Sequence, residues 1–179
     1  TGATVRFVPG FSRHYEAKPL GRDEQDSDAT TAMPALHDGA AATSPTDWQR
    51  GVVFESKGDR SEGRYIVDLQ KAVSVSRVSS YSWGNGDRAV QSYELFGSDA
   101  SAMPDAAAAD PAKAGWTRIA KVDSSALGQG DRHAASIAKD SGLGQFRYLL
   151  FHMSNGAAAF SEIDVFADKY RAAIEIGRA

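Results

Sequence analysis

Short stretches of alternating apolar and polar residues, separated by turns, run through most of this chain. Between residues 64 and 69 the alternation places Tyr65, Val67 and Leu69 on one face, as in a half-buried strand. Similar stretches predict further strands at residues 2–8, 51–55, 73–83, 92–96, 116–122, 134–138, 146–151 and 160–166. No long amphipathic helix pattern is present. We therefore predict seven to nine short strands in a single all-β domain, an antiparallel sandwich or barrel.

Three details of the sequence predict local features of the sheet. Residues 146–151 are almost continuously apolar, which indicates a central strand buried on both faces. The step from Val75 to Val78 breaks the period of two, so we expect a bulge or bend between them. Residues 84–87 read Gly-Asn-Gly-Asp and predict a tight turn.

Two segments interrupt the strand pattern. Residues 11–33 are polar and contain clustered acids, but they lack the glycine and closing glutamate of a helix-loop-helix calcium loop, so we predict a solvated loop. Residues 99–115 are rich in alanine and contain two prolines, which predicts a surface excursion with at most one helical turn. We expect residues 1–35 to form an N-terminal strand and polar extension, 36–167 the sandwich, and 168–179 a tail or linker.

Composition and charge exclude several classes of protein. The chain has 179 residues, 42% of them hydrophobic, enough for one sizeable core. Its net charge of −3, with scattered basic residues, argues against a nucleic-acid partner. It has no cysteine, which excludes disulfides and thiol chemistry, and no apolar run of the roughly 20 residues that a membrane span requires. The chain begins at Thr1 without a signal peptide, so we expect a mature product or an excised piece.

No catalytic motif stands out. The sequence contains no nucleophile elbow, no His-Glu-x-x-His pair and no phosphate-binding glycine loop. The four histidines lack metal-ligand spacing.

The stretch from Leu36 to Thr43, leading to Trp48, has neither helical nor strand periodicity. Its Asp38-Gly39 pair favours a tight turn, and the alanines that follow leave carbonyl oxygens uncovered. Such a loop suits a calcium ion, which takes roughly 6–8 oxygen ligands. An ordinary surface loop is the alternative.

Several separated pieces of the sequence, taken in order, resemble one family. They are Asp38-Gly-x-x-x-Thr43, Tyr65-Ile-Val-Asp-Leu69, Val75 and Val78 leading to Trp83, Arg88 before Tyr93-Glu-Leu-Phe-Gly-Ser-Asp99, Gly115-Trp-Thr117, Phe146-Arg-Tyr-Leu149 and Ser161-Glu-Ile-Asp-Val-Phe166. Over residues 36–167 the chain resembles the coagulation-factor type C, or discoidin, domains and the related bacterial carbohydrate-binding modules of the galactose-binding-like fold. The resemblance implies a jelly-roll β-sandwich of about eight core strands, a non-catalytic binding role and a structural calcium ion.

The resemblance also implies particular site residues. The calcium ligands would be the side chains of Asp38, Thr43 and Glu162, with carbonyl groups from Leu36, Ala41 and Ser161. The ligand-binding loops would lie at one end of the sandwich and would carry Trp83, Asn85, Asp87, Arg88 and Asn155. Sugar recognition needs an aromatic face and a few fixed polar groups, which these residues supply.

Plainer interpretations accompany these assignments. Trp83 fits a core or rim position equally well, and both Asn-Gly pairs, at Asn85 and Asn155, are also turn formers. His37 is expected to be exposed, while Trp48 and Trp116 are expected to serve packing.

The chain departs from the resembling family in three respects. Its cation loop has alanines where many relatives have Asn, it cannot form the disulfide of the animal members, and the segments 9–34 and 99–115 are extra. The expectation that follows is a calcium-stabilised carbohydrate-binding module of a larger bacterial protein, located extracellularly, on the cell surface or in the periplasm. Its partners would be a glycan and other domains of that protein. The alternative is an interaction domain of the same fold that contacts proteins and has no sugar site.

Overall fold

The computed structural model describes residues 4–7, 13–18, 21–26, 36–37, 39–45, 52–53, 63–154 and 158–167. These residues form ten strands: β1 (Thr4–Phe7), β2 (Arg13–Lys18), β3 (Gly21–Asp26), β4 (Val52–Val53), β5 (Gly63–Gly84), β6 (Ser92–Ser98), β7 (Thr117–Asp123), β8 (Asp131–Ala138), β9 (Gly144–Met153) and β10 (Ala159–Ala167). All their pairings are antiparallel. Within this part of the chain the regular structure is all β apart from short 3-10 turns, as the alternation predicts. None of the described residues forms a helix long and apolar enough to cross a membrane.

The 22-residue strand β5 belongs to both layers of the fold. Its first third pairs with β1 and β9, and its last third pairs with β8 and β10. The first layer therefore runs β1-β5-β9-β6-β7, and the second runs β8-β5-β10-β4-β2-β3. Near the change of layer, Gln70 has φ 69° and donates its backbone N–H to Asp68 Oδ1 (2.7 Å). This local turn bends the strand from one layer into the other.

The main core lies between the two layers. It contains inward-facing residues of β5, β6 and β9 from one side and of β8 and β10 from the other: Tyr65, Val67, Val75, Val78, Tyr93, Leu95, Ile137, Leu149, Phe151, Phe160 and Ile163. The Phe151 ring packs against Tyr65 and Tyr93 with centroids 6.0 and 5.6 Å away. An edge-on contact of 6.1 Å between Tyr93 and Phe160 joins the layers. The structure is thus a β-sandwich.

A second, smaller core covers the outer face of the first layer. It contains Ile66, Phe96, Tyr148 and Leu150 from the strands, together with Ala106 and Trp116 from the alanine-rich segment. The predicted surface excursion is therefore a lid that packs on the sheet. It contains one 3-10 turn, Pro111–Ala114. Trp116 serves packing, as expected, and its indole N–H donates to the Asp105 carbonyl (3.1 Å).

Arg64 fastens this lid to the sheet. The side chain is only 2% exposed, and its Nη1 group donates to the carbonyl oxygens of Ala106 (2.6 Å) and Ala108 (2.7 Å). Hydrogen bonds from a charged donor are stronger than neutral ones, so this contact holds the lid at a defined position.

The structure confirms two local predictions. Strand β9 lies between β5 and β6, with Leu149 and Phe151 in the main core and Tyr148 and Leu150 in the second, so it is buried on both faces. The register against β10 skips one residue of β5 between Val75 and Arg77, which is the predicted bulge.

The structure also corrects two expectations. The solvated loop predicted for residues 11–33 is wrong for residues 13–18 and 21–26, because β2 and β3 pair as a hairpin and extend the second layer through β4. Charged residues are common in edge strands, where they discourage pairing with other chains. The described strands number ten rather than about eight, and the hairpin accounts for two of them.

Candidate functional site

Two loops and the end of one strand meet at one end of the sandwich. They are the loop from Asn85 to Gln91 between β5 and β6, the loop from Ser124 to Gly130 between β7 and β8, and Ser154 at the end of β9. The Gly130 N–H donates to the Gly86 carbonyl (2.8 Å), and Ser124 N–H donates to the Gln91 carbonyl (2.9 Å). The first two loops therefore lie side by side, joined near both ends.

The loop after β5 folds back tightly on the strand. A Cβ atom at Gly84 would lie 2.6 Å from the Cβ of Arg88 and 3.0 Å from its carbonyl carbon. Only glycine permits this approach, and Gly86, with φ +60°, makes the turn that follows. The predicted turn at 84–87 is thereby confirmed, and it places Arg88 close to the end of β5.

The predicted ligand residues around this turn differ in exposure. Asn85 and Asp87 are exposed, whereas Arg88 is half-buried and its Nη1 atom is fully covered. Asn155 lies outside the described residues. The residue before it, Ser154, donates its backbone N–H to the Ser92 carbonyl (2.9 Å), next to the same loop. Trp83, Asn85 and Arg88 therefore lie at one end of the sandwich.

Trp83 is half-buried, and a second residue covers part of its ring. The guanidinium carbon of Arg132, on the neighbouring strand β8, lies 4.1 Å from the ring centroid. This cation–π contact fixes the indole and brings a positive charge to the site. A ligand that stacks on Trp83 must use the remaining exposed part of the ring or displace Arg132.

Beneath the two loops lies a buried polar cluster of five side chains: Ser80, Gln91, Tyr93, Ser124 and His133, which we call the polar cluster. Gln91, which has no exposed surface, accepts a hydrogen bond at Oε1 from the Ser80 hydroxyl (2.6 Å). Its Nε2 group donates to the carbonyls of Ser80 (3.2 Å) and His133 (3.1 Å). One amide side chain thus ties together β5, the start of β6 and β8.

Tyr93 completes one side of the polar cluster. Its hydroxyl lies 2.8 Å from Ser80 Oγ, and because the Ser80 proton is directed to Gln91, Tyr93 donates in this pair. Burial raises the pKa of Tyr93 to about 12, although the hydrogen bond with Ser80 acts in the opposite direction. The phenol therefore stays protonated and keeps donating throughout the neutral pH range.

Ser124 and His133 complete the other side. Ser124 Oγ accepts the Gln91 backbone N–H (2.8 Å) and lies 2.6 Å from His133 Nδ1. The Ser82 hydroxyl adds a bond of 2.5 Å to the Ala89 carbonyl. These contacts anchor both loops to the strands beneath them, so the exposed residues above are held on a rigid base.

The predicted cation site is described in part. Asp38 lies outside the described residues, Ala41 and Thr43 are exposed, and Leu36 is buried in the main core. Ser161 and Glu162 are buried at a bulge in β10, where the register skips from Phe160 to Glu162. A bulge takes its extra residue out of the regular ladder, which suits a ligand carbonyl at Ser161.

The buried carboxylate of Glu162 influences its surroundings. The side chain is 5% exposed and its Oε2 atom is fully covered. Burial, together with the charge of Glu162, raises the pKa of Tyr65 well above its ordinary value. A carboxylate at this depth needs compensation by hydrogen bonds or a cation, so its position is compatible with the proposed ion. His37 is exposed, as expected.

Sequence reasoning missed Arg132, the loop from Ser124 to Gly130 and most of the polar cluster. The sequence did contain one indication of the polar cluster. Gln91 precedes the core residues Tyr93 and Leu95 by two and four positions, so its side chain is expected on the same, inward side. A polar side chain at an inward-facing position must find hydrogen bonds inside the protein. The sequence contains no comparable indication for Arg132, because its contact with Trp83 requires the pairing of β8 with the distant strand β5.

Comparisons with known proteins agree with this architecture. The sequence matches no protein-family model and no curated protein. Among solved structures, CpGH89CBM32-6, produced by Clostridium perfringens, is similar with a TM-score of 0.50 at 15% identity, over 89% of this chain and 95% of that one. CBM32-1 from a family 31 glycoside hydrolase of the same organism is similar with a TM-score of 0.52 at 13% identity, over 93% and 94% of the two chains.

A third similar structure is a much longer protein. It is described as a glycoside hydrolase, with a TM-score of 0.53 at 14% identity over 91% of this chain but only 30% of its own. At these identities the likeness shows the fold. The chain shares the β-sandwich fold of these two structures, as the resemblance in its sequence predicts.

Proposed function

We propose that this domain is a non-catalytic carbohydrate-binding module of a larger extracellular or cell-surface bacterial protein. The observation that carries the proposal is the extent of the similarity, which spans nearly the whole of two modules named for carbohydrate binding. The similarity to about a third of a glycoside hydrolase is consistent with a module attached to an enzyme.

The end of the sandwich supplies suitable chemistry for sugar recognition. Trp83 offers an aromatic surface, and Asn85, Asp87 and Arg132 are exposed polar groups that can orient hydroxyls. Arg88 is held against the turn by its approach to Gly84. Rigid, pre-positioned groups lose little conformational freedom on binding, which favours recognition of a small polar ligand.

A glycan array probed with the isolated domain tests the proposal. We expect binding to a limited group of glycans, and a loss of about tenfold or more in affinity for Trp83→Ala and for Arg88→Ala. Arg118→Ala is the matched control, because Arg118 lies on β7 and forms an exposed ion pair with Glu94. Melting temperatures of all variants must be recorded so that unfolding is not mistaken for lost binding.

Absence of binding to any glycan would overturn the proposal. A domain that instead captured a protein partner through the same loops would favour the alternative, an interaction domain without a sugar site.

A structural calcium ion is the second part of the proposal. Glu162 would bind it with its carboxylate, Asp38 and Thr43 with their side chains, and Leu36, Ala41 and Ser161 with their carbonyl groups. Oxygen ligands of mixed type are those that calcium prefers. The ion would stabilise the scaffold by joining the loop at 36–43 to β10, and it would perform no chemistry at the sugar site.

Removal of calcium is the test of this second part. At a free calcium concentration 100 times the Kd, the ion adds about 2.7 kcal/mol to the free energy of unfolding. For a domain of this size a chelator should therefore lower the Tm by about 5–10 °C, and added calcium should restore it. The variant Glu162→Gln should lose this response. If the chelator leaves the Tm of the wild type unchanged, or if it lowers the Tm of Glu162→Gln as much as that of the wild type, the calcium site is contradicted.

A further inference from the structure

Four of the described strands have a hydrogen-bonded neighbour on one side only. They are β1 and β7 at the edges of the first layer, and β8 and β3 at the edges of the second. The other side of an edge strand presents unpaired backbone N–H and C=O groups, which form a template for a further strand. Each edge therefore needs a feature that keeps other strands away, or a strand that pairs with it.

Three of these four edges carry a protective feature. Strand β1 has only 4 residues, and the sequence of β3, Gly-Arg-Asp-Glu-Gln-Asp, is mostly charged. Strand β7 carries Arg118, Lys121 and Asp123, all of them exposed, and its register against β6 shifts between Leu95 and Phe96. Short length, charge and irregular pairing are devices by which natural sheets prevent association through their edges.

Strand β8 lacks these features. It has 8 residues, and its pairing with β5 runs from Asp131 to Ala138 without a register shift. Residues 133–138 read His-Ala-Ala-Ser-Ile-Ala, without carboxylate, lysine, arginine or proline. A long and regular edge of this composition is open to pairing with another strand.

The two faces of β8 limit the registers that a second copy of this strand can take. His133 and Ile137 are buried, whereas Ala134, Ser136 and Ala138 are exposed. A second copy that continues the same layer must place inward-facing residues opposite inward-facing ones, because a slip of one residue exchanges the faces. Odd-numbered residues of one strand therefore lie opposite odd-numbered residues of the other.

One of these registers is complementary in charge. When a two-fold axis passes through Ala135, Asp131 lies opposite the partner's Lys139, and Lys139 lies opposite the partner's Asp131. Both side chains are exposed, one at the start of β8 and one directly after its end. Opposite charges that face each other across two strands stabilise the pair. The same contact is made twice, as the self-complementary interface of a two-fold dimer requires.

The next register of the same parity, shifted by one residue along each strand, is less favourable. It places Arg132 opposite the partner's Asp140, but the Arg132 guanidinium carbon already lies 4.1 Å from the Trp83 ring centroid. It also places Lys139 opposite the partner's His133, so the ammonium group faces an imidazole instead of a carboxylate. The register through Ala135 leaves Arg132 on Trp83 and gives each Lys139 an opposite charge.

We propose that β8 pairs with β8 of a second copy of this domain, antiparallel and about a two-fold axis at Ala135. The second layers of the two molecules then form one continuous sheet. A single strand pair is a small interface compared with the roughly 800 Å² per partner of a typical stable complex. The expected dimer is therefore in equilibrium with the monomer at micromolar concentrations. The pairing does not depend on the proposed sugar and calcium sites.

Sedimentation velocity of the 179-residue chain, from low-micromolar to near-millimolar concentration, tests the pairing. We expect the wild type to shift from monomer to dimer. Lys139→Glu sets carboxylates opposite each other at two places, so it should raise the dissociation constant about tenfold or more. Lys121→Glu makes the same change of charge at an exposed site on β7 and is the matched control, which should dimerise like the wild type.

A second substitution should partly reverse the effect of Lys139→Glu. The double variant Asp131→Asn/Lys139→Glu removes the repulsion, so its dissociation constant should be lower than that of Lys139→Glu alone. Asparagine suits this position, because the backbone at Asp131 has φ 65° and asparagine tolerates that region. Melting temperatures of all variants distinguish lost pairing from lost folding.

A single introduced cysteine tests the register, because the natural chain has none. With the axis at Ala135, the two Ala135 Cα atoms lie about 4.5–5.5 Å apart, within the range that a disulfide spans. Ala135→Cys should therefore form a covalent dimer under mild oxidation. In Ala138→Cys, the matched control on the same strand, the two introduced thiols lie about 20 Å apart and should not crosslink. Random collisions would favour the control, because Ala138 is the more exposed of the two positions.

Three results would overturn the proposal. A chain that stays monomeric at every concentration would leave the edge of β8 to a strand of another protein. A dimer that Lys139→Glu weakens no more than Lys121→Glu, or equal crosslinking of the two cysteine variants, would place the contact between copies on another surface.

Discussion

Replacement of Arg64 by alanine is expected to lower the free energy of unfolding by about 3–5 kcal/mol. The variant loses two hydrogen bonds from a charged donor, each worth about 1.5–3 kcal/mol, and the packing of a buried side chain. Both acceptors, the carbonyls of Ala106 and Ala108, belong to the lid over the outer face of the first layer. Because a domain is stable by only about 5–15 kcal/mol, the loss is a large share of the total.

The effect should be concentrated in the lid. Hydrogen exchange at the Ala112 and Trp116 amides, which bond to Asp110 Oδ1 and the Pro111 carbonyl, should accelerate more than exchange at Leu149 in the centre of β9. Denaturant unfolding gives the total loss of stability.

Arg118→Ala is the control for this prediction as well. Its ion pair with Glu94 is short, at 2.6 Å, but the arginine side chain is 52% exposed. Exposed pairs contribute about 0–1 kcal/mol, so this variant should remain close to the wild type. A loss below 1 kcal/mol for Arg64→Ala would show that the lid does not depend on the buried arginine.

The lid illustrates what the sequence could and could not predict. Alternation predicted most of the strands, because inward and outward positions repeat every two residues. The continuous apolar run at residues 146–151 predicted the double burial of β9. The alanine-rich segment between β6 and β7 has no period, so neither its packing on Ile66 and Leu150 nor its bond to Arg64 could be inferred. Both contacts join residues about 40 positions apart, and only the three-dimensional pairing brings them together.

The candidate site, too, could be predicted from the sequence only in part. Turn chemistry placed Asn85 and Arg88 in a loop at the end of β5, since glycine and asparagine mark turns directly in the sequence. The position of the neighbouring loop, from Ser124 to Gly130, and the contact of Arg132 with Trp83 depend on the register of β5 against β8. The polar hairpin β2–β3 was missed for a different reason, because its charged residues lack the hydrophobic alternation that marks a strand.

Replacement of Gln91 by leucine is the second change with a large expected effect. It should lower both the free energy of unfolding and the affinity for the proposed sugar ligand. The substitution removes three hydrogen bonds from the polar cluster, which connect Gln91 with the Ser80 hydroxyl, the Ser80 carbonyl and the His133 carbonyl. At about 1 kcal/mol for each bond, the expected loss is about 3 kcal/mol. Denaturant unfolding measures this loss, and Gln145→Leu is the control because Gln145 is an exposed glutamine on β9.

In Gln91→Leu the loops above the polar cluster should lose more stability than the rest of the sandwich. Amides of Ala89, Val90 and Gly130, whose bonds hold the two loops, should exchange faster relative to the Leu149 amide than they do in the wild type. Ser124→Ala should produce a smaller change of the same kind, since it removes the hydroxyl that joins Gln91 to His133. Sugar affinity should fall in the same order, because loops that must be ordered on binding bind more weakly than loops already held in place. Equal acceleration of all these amides would mean that the cluster stabilises the sandwich as a whole and does not position its binding loops.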